Sequence, residues 1–231
     1  MKEIKLAIFD MAGTTIDDRD EVYRVLREAT ERAGARYSDE EFQRWMGTEK
    51  RYAIENLLRV GGIEPTEDVV EEQWQWFRTE LRRTYTENPP TILPGVADAL
   101  TQLRDNGVTI GITTGFSREI MLLILDAIGW TPREAGGDDS SPIDFATAGD
   151  EVSVGRPEPF LIQSIMKKAG ISDANLVVSS GDTAADVQSA NKAHVTSVGV
   201  LTGHLTKEDF EVEGADVVLD GVASFPQWAE I

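Results

Sequence analysis

Short apolar runs rich in Val and Ile recur along this chain, and one long gap between them constrains the fold more than any other feature. The runs are Leu6–Phe9, 108–113, 176–180, Thr196–Val200 and Val217–Leu219, with a further strand expected near 144–147. Helical patterns separate them at 96–106, 118–128 and 159–169. Strands that alternate with helices predict a parallel sheet covered on both faces, because each parallel connection needs a crossover and a helix supplies it. The interval 16–91 breaks the alternation. It lacks strand-like runs, carries helical patterns throughout and is closed by Asn88-Pro89-Pro90 and Leu93-Pro94-Gly95. The expectation is a helical module inserted after the first strand of an α/β core.

Composition excludes several classes. With 231 residues, 41% of them hydrophobic, the chain can bury a sizeable core. No apolar stretch approaches the ~18 residues that would span a bilayer, so no membrane partner is expected. Met1-Lys2-Glu3 leads straight into the first strand, which argues against a secretory leader. The absence of cysteine removes disulfides, Cys-ligated metals and Cys nucleophiles, and fits a cytoplasmic protein. A formal charge of −19 argues against a nucleic-acid partner, since a phosphate backbone is met with Lys and Arg. The acidity reads as a well-solvated surface or as adaptation to a high-salt cytoplasm.

Polar residues gather just past the expected strands. Asp10-Met11-Ala12-Gly13-Thr14-Thr15 reads as a buried strand delivering a carboxylate into a tight Gly turn. Thr113-Thr114-Gly115 follows the second strand, and Asp182 in Gly181-Asp182-Thr183-Ala184-Ala185-Asp186 follows a later one. Arg156 in Gly155-Arg156-Pro157 sits in a loop after the strand near 144–147. Open α/β sheets build their sites at such carboxyl ends. A lone Asp there commonly caps a helix, but four positions of complementary chemistry point to a site.

Asp10 and Asp182 brought together repel, so they imply a cation, and hard oxygen donors without Cys or a His cluster point to Mg²⁺. The metal would neutralise a phosphoryl group and let the anionic Asp10 approach it. Thr114 offers a hydroxyl, Gly115 an N–H and Arg156 a cationic fork to phosphoryl oxygens. Asp186, four residues beyond Asp182, either orients these groups or is a solvated first-turn acid favoured by the helix dipole. Phosphoryl-transfer enzymes with an aspartate nucleophile normally place a second Asp two residues later to protonate the leaving group. That position is Ala12. The leaving group therefore needs no proton from there, or something else activates it.

These segments resemble the haloacid dehalogenase superfamily and, within it, the phosphonatase and phosphonatase-like branch. The resemblance rests on Asp10-x-Ala-Gly-Thr, Thr-Thr-Gly-Phe-Ser-Arg-Glu at 113–119, Gly-Arg-Pro at 155–157 and Gly-Asp-Thr-x-x-Asp at 181–186, and it extends to Gly199-Val200-Leu201-Thr202-Gly203. It implies a Rossmann-like, doubly wound catalytic core at 1–15 and 92–231 with an inserted helical cap at 16–91. It also implies an aspartyl-phosphate on Asp10, and Mg²⁺ held by Asp10, the backbone carbonyl of Ala12 and Asp182.

The insertion supplies an amine. Ser38-Asp39-Glu40-Glu41 has capping-box spacing and opens a short helix. Gly47 interrupts it, and Thr48 is read as the cap of a second helix with Lys50 on the stripe of Ile54 and Leu57. A Lys at a helix N-terminus among apolar groups is disfavoured when charged, which favours a neutral, nucleophilic amine. The competing reading is a Lys whose stem packs while its head reaches water. Met46-Gly47-x-x-Lys50 resembles the Schiff-base segment of phosphonatase, which implies an iminium between Lys50 and a 2-oxo group. A carbon–phosphorus bond has no leaving oxygen to protonate, so Ala12 and Lys50 are two parts of one mechanism. The substrate implied is a small phosphonate.

The chain departs from that family at Ala53, where the family has His, and at Phe116, where it has Tyr. His194 and His204 both lie far from the cap in sequence, and His204 reads as a surface-loop residue. The alternatives are hydrolysis of small phosphate esters or acyl phosphates, and a non-catalytic binder of phosphorylated metabolites. Trp45, Trp74, Trp76 and Phe77 read as cap core, with a substrate pocket or homodimer surface as the other option. The run 136–141 reads as a solvated loop.

Overall fold

The computed structural model of the protein describes residues 3–138 and 140–231. Met1 and Lys2, the lead-in to the first strand, and Asp139 of the run 136–141 lie outside the described residues. Six parallel strands form the main sheet: β1 (Leu6–Phe9), β4 (Thr109–Thr113), β5 (Phe145–Thr147), β6 (Val177–Gly181), β7 (Thr196–Val200) and β8 (Val217–Leu219), in the order β5-β4-β1-β6-β7-β8. Helices α5 (Val96–Asp105), α6 (Arg118–Ala127), α7 (Phe160–Ala169), α8 (Ala184–Ala193), α9 (Lys207–Glu213) and α10 (Phe225–Trp228) complete the α/β core.

The sheet is covered on both faces, as the apolar runs predict. Successive side chains of a strand point to opposite faces. Ala7 and Phe9 accordingly join a core with Leu100, Ile124 and Phe225, while Leu6 and Ile8 join a second with Ile162, Ile165 and Ala190. Register then positions the site. Phe9 lies opposite Ile112 on β4 and Ser180 on β6. The residues just beyond, Asp10, Thr113-Thr114 and Gly181-Asp182, emerge side by side at the point where β4 and β5 lie to one side of β1 and the later strands β6, β7 and β8 to the other.

Helices α1 (Glu21–Glu31), α2 (Asp39–Gln43), α3 (Lys50–Val60) and α4 (Glu67–Glu87) follow β1, with α1, α3 and α4 packed on one another. Val22, Leu26, Ile54, Leu57, Phe77 and Leu81 are buried among them. The expectation that 16–91 holds no strand is corrected at its two ends. Ile16–Asp17 (β2) and Thr91–Ile92 (β3) pair antiparallel, Ile16 opposite Ile92. Two residues show no alternation to read, and the pairing joins segments far apart in sequence. The Arg19 guanidinium also donates to the Asn88 carbonyl at 2.8 Å, tying the two connectors together. Among the described residues no helix is long and apolar enough to cross a membrane.

Candidate active site

Asp10 leaves β1 with its backbone fixed, since its N–H donates to the Ser180 carbonyl and its own carbonyl accepts the Thr15 hydroxyl. Its carboxylate meets Arg156, whose Nη2 lies 2.6 Å from Oδ1. The same guanidinium reaches Asp186 Oδ1 at 2.8 Å and donates to Thr113 Oγ1 at 3.1 Å and to the Gly47 carbonyl at 3.4 Å. Asp182 accepts the Thr14 hydroxyl at 2.9 Å. Oxygens of Asp10, Asp182 and Asp186 come within 4.8 Å of one another, and all three residues are buried. Gly13 and Gly203 make this approach feasible, because a Cβ at either would overlap the Asp182 carboxylate.

Three buried carboxylates against one arginine leave an excess of negative charge. Burial pushes Asp10 up to about 6, against the pull of Arg156 and with repulsion from Asp186 adding to it. Burial raises Asp182 well above the usual carboxylate range, and Asp10 and Asp186 push it further. An all-oxygen, over-charged donor set of this kind fits a hard divalent cation. Asp186 is not a solvated first-turn acid. It is 6% exposed, and besides Arg156 it accepts the Thr183 N–H in a capping box at the start of α8.

Lys50 comes from the insertion. Its helix starts one residue later than expected: Glu49, not Thr48, is the cap, accepting the Arg51 and Tyr52 N–H groups at 2.9 and 2.8 Å. The Thr48 hydroxyl instead donates back to the Trp45 carbonyl. Gly47, at φ 75°, turns the chain there, and the longer Glu side chain can fold back over the first turn. Lys50 is 4% exposed, so the reading in which its head reaches water is overturned. Its Nζ donates to the Thr48 carbonyl at 2.9 Å and lies 5.8 and 5.9 Å from the ring centres of Tyr23 and Phe116. Burial pushes the amine down to about 8, opposed chiefly by Asp10.

That burial has a measurable cost. The folded state binds the Lys50 proton less tightly than the unfolded chain, whose ordinary value is 10.5. The penalty is complete below about 8 and fades as pH rises towards 10.5, where the unfolded chain also loses its proton. Lys50→Met should therefore be more stable than the parent at neutral pH, by about 3 kcal/mol, since each tenfold loss of proton affinity on folding costs ~1.4 kcal/mol. The gap should close in alkaline buffer. Thermal melts at several pH values check this.

The loop between α2 and α3 seats the amine against the core. Gly115 packs so closely on the Thr48 carbonyl that a Cβ would lie 2.6 Å from it, and a Cβ at Gly47 would overlap Thr183. Thr114 is buried, with its hydroxyl accepting the Phe116 N–H at 3.1 Å. The structure thus brings Asp10, Arg156, Asp182 and Asp186 together and seats Gly115 against the loop that carries Lys50, while Ala12 and Thr114 lie on the chain segments next to that cluster.

Sequence reasoning named Thr113 only as part of its segment, without its contact to Arg156, and did not single out Tyr23. The signal for Thr113 was its place level with Asp10, visible only once β1 and β4 are paired. His204 is half-exposed, as expected of a surface loop, yet it is not far from the insertion. Its Nε2 lies 2.9 Å from Asp20 Oδ1, and its ring packs on Tyr23. Of the aromatics, Phe77 is core and stacks on Trp74, which reaches a cleft of about 720 Å³ beside Arg156.

Known proteins resemble this chain in sequence and in fold. The chain is 30% identical over 229 residues to phosphonoacetaldehyde hydrolase of Bacillus cereus, covering 94% of this chain and 83% of that one. It is 33% identical to a bifunctional phosphonoacetaldehyde hydrolase/aminoethylphosphonate transaminase of Clostridioides difficile, covering 91% of this chain and 34% of that longer one. A hydrolase from Pseudomonas syringae superposes with a TM-score of 0.83 at 23% identity, over 98% of this chain and 99% of that one. A phosphonoacetaldehyde hydrolase-like protein from Oleispira antarctica gives 0.79 at 20%, over 98% and 91%. These two structures share the fold. The model of the haloacid dehalogenase-like hydrolases matches residues 7–200. With a buried aspartate at the end of the central strand, this chain belongs to the haloacid dehalogenase-like hydrolase family.

Proposed function

We propose that this hydrolase cleaves the carbon–phosphorus bond of phosphonoacetaldehyde or a related 2-oxoalkyl phosphonate. The observation that carries the reading is Lys50, a fully enclosed amine lowered to about 8 by burial and electrostatically coupled to Asp10. In an ester phosphatase Lys50 would only position or attract the substrate, for which a charged amine serves better than one whose proton is loosened by burial. The relatives named phosphonoacetaldehyde hydrolase favour the same substrate class.

The Asp10 carboxylate attacks phosphorus, while the Lys50 amine condenses with the 2-oxo carbon and expels water. The resulting iminium accepts the C–P bonding electrons and becomes an enamine, leaving the phosphoryl group on Asp10. Carbon leaves as an enamine, so the alanine at position 12 is no loss. Thr114, the Gly115 N–H and Arg156 hold the phosphoryl oxygens, and Asp186 fixes the Arg156 fork from the other side. Asp10, the Ala12 carbonyl and Asp182 are the residues that would hold Mg²⁺, which when bound offsets the charge of the phosphoryl group and lets the two anions meet. The helical insertion acts as a cap that delivers Lys50 and excludes water.

Chelation should stop phosphate release, and Mg²⁺ should restore it. Full turnover in excess chelator would remove the metal role given to Asp10 and Asp182. The substrate class is tested by a panel that sets 2-oxoalkyl phosphonates against phosphate esters and acyl phosphates. Release from phosphonates is expected to dominate. Release only from esters, with a steep dependence on leaving-group acidity, would overturn the reading in favour of a phosphatase that lacks its acid.

A further inference from the structure

Imine chemistry needs a group beside the amine that gives and takes a proton. Most neighbours of Lys50 cannot. Position 53, the next turn of α3, is a fully buried Ala. Phe116 carries no polar atom. Glu49 spends both carboxylate oxygens capping α3. Asp18 is held by the Tyr85 hydroxyl at 2.6 Å and the Val22 N–H at 3.0 Å. Asp10 faces phosphorus and is bound by Arg156. His204 is bonded to Asp20 and packs on Tyr23.

The remaining neighbour is Tyr23, on the first turn of α1, whose ring centre lies 5.8 Å from Lys50 Nζ. It is 9% exposed and lines a cleft of about 260 Å³ together with Asp18, Asp182 and Thr202. Its hydroxyl makes none of the hydrogen bonds found among the described residues. Burial raises its phenol well above the ordinary value, and the carboxylates of Asp182, Asp10, Asp18 and Asp186 raise it further, so the proton stays on the oxygen until a partner draws it off. It is thus a proton-bearing group whose ring packs beside the amine and which shares a cleft with Asp182.

We propose that the Tyr23 hydroxyl is the acid and base of imine formation and breakdown at Lys50. The inference rests on the phosphonate reading above. Lys50 adds to the 2-oxo carbon to give a carbinolamine. Tyr23 transfers its proton to the carbinolamine oxygen as the C–O bond breaks, releasing water and leaving a phenolate beside the iminium cation. After C–P cleavage, the enamine carbon takes up the proton that hydrolysis of the aspartyl-phosphate releases. Water then adds to the regenerated iminium and returns its proton to the phenolate, and loss of the amine frees the carbonyl product. Each turnover consumes one water overall and restores both side chains.

Tyr23→Phe tests this, because it keeps the ring against Lys50 and removes only the hydroxyl. On a 2-oxoalkyl phosphonate, kcat should fall about 10²- to 10³-fold, the scale of a lost general acid. KM should change little, and the rate at which borohydride traps an adduct on Lys50 should fall in step. A merely structural Tyr23 would instead leave kcat and trapping intact in the Phe variant, and that result overturns the proposal. Site-specific 3-fluorotyrosine at position 23 provides a second arm, since it preserves shape while making the phenol more acidic. An unchanged kcat there overturns the proposal even if Tyr23→Phe does not fold. Parent protein that neither cleaves the phosphonate nor forms an adduct would bring down the phosphonate reading itself.

Discussion

Asp10→Asn should release no phosphate from any substrate, with a loss on the order of 10⁴-fold or more, as expected when a nucleophile is removed. The amide keeps the shape of the carboxylate and an oxygen for Arg156, which now lies 2.6 Å away. The melting temperature should therefore stay close to that of the parent, and a melt run beside the assay separates lost chemistry from lost fold. A nearly active Asn variant would mean that phosphorus is attacked by water rather than by the protein. It would remove the aspartyl-phosphate from the mechanism while leaving the family assignment untouched.

Lys50→Arg should be equally severe, but only on phosphonates. A guanidinium is not deprotonated in a protein and cannot form an imine, so phosphonate cleavage and the borohydride adduct should both disappear. The larger head must also fit where Nζ now lies between two rings and on the Thr48 carbonyl. Lys50→Met, which fits the apolar surroundings, should give the same kinetic result. Either variant cleaving a 2-oxoalkyl phosphonate at the parent rate would exclude the Schiff base. In the parent, the neutral amine fraction grows as pH rises through about 8, so adduct formation at limiting substrate should climb across that range.

How much could be read in advance depended on range. Strands β1, β7 and β8 match their expected runs end to end, β1 because a parallel strand buried on both faces is apolar throughout, β7 and β8 because their Val residues are bounded by turns. Asp10, Arg156 and Asp182 were legible from their positions past strand ends. The cap of α3 was misplaced by one residue, since Thr48 and Glu49 both have capping chemistry and the turn at Gly47 decides between them. The pairing of β2 with β3, the contact of Arg156 with Thr113 and the approach of Tyr23 to Lys50 were not legible. Each joins segments remote in sequence and leaves no local pattern. Whether Lys50 was buried turned on packing against Phe116 of the core, which the periodicity of its own helix cannot reveal.

The strand order also bears on how the chain is assembled during synthesis. β1 lies inside the sheet, yet its partners begin at Thr109 on one side and Val177 on the other. Leu6–Phe9, buried on both faces in the finished protein, must therefore wait until Thr109 for its first partner and until Val177 for its second. The helices that follow it draw mainly on contacts with one another and can form early. A folded helical body beside a waiting apolar strand hinders that strand from pairing with other chains. The segment that carries Lys50 can thus act first as a guard on the nascent sheet.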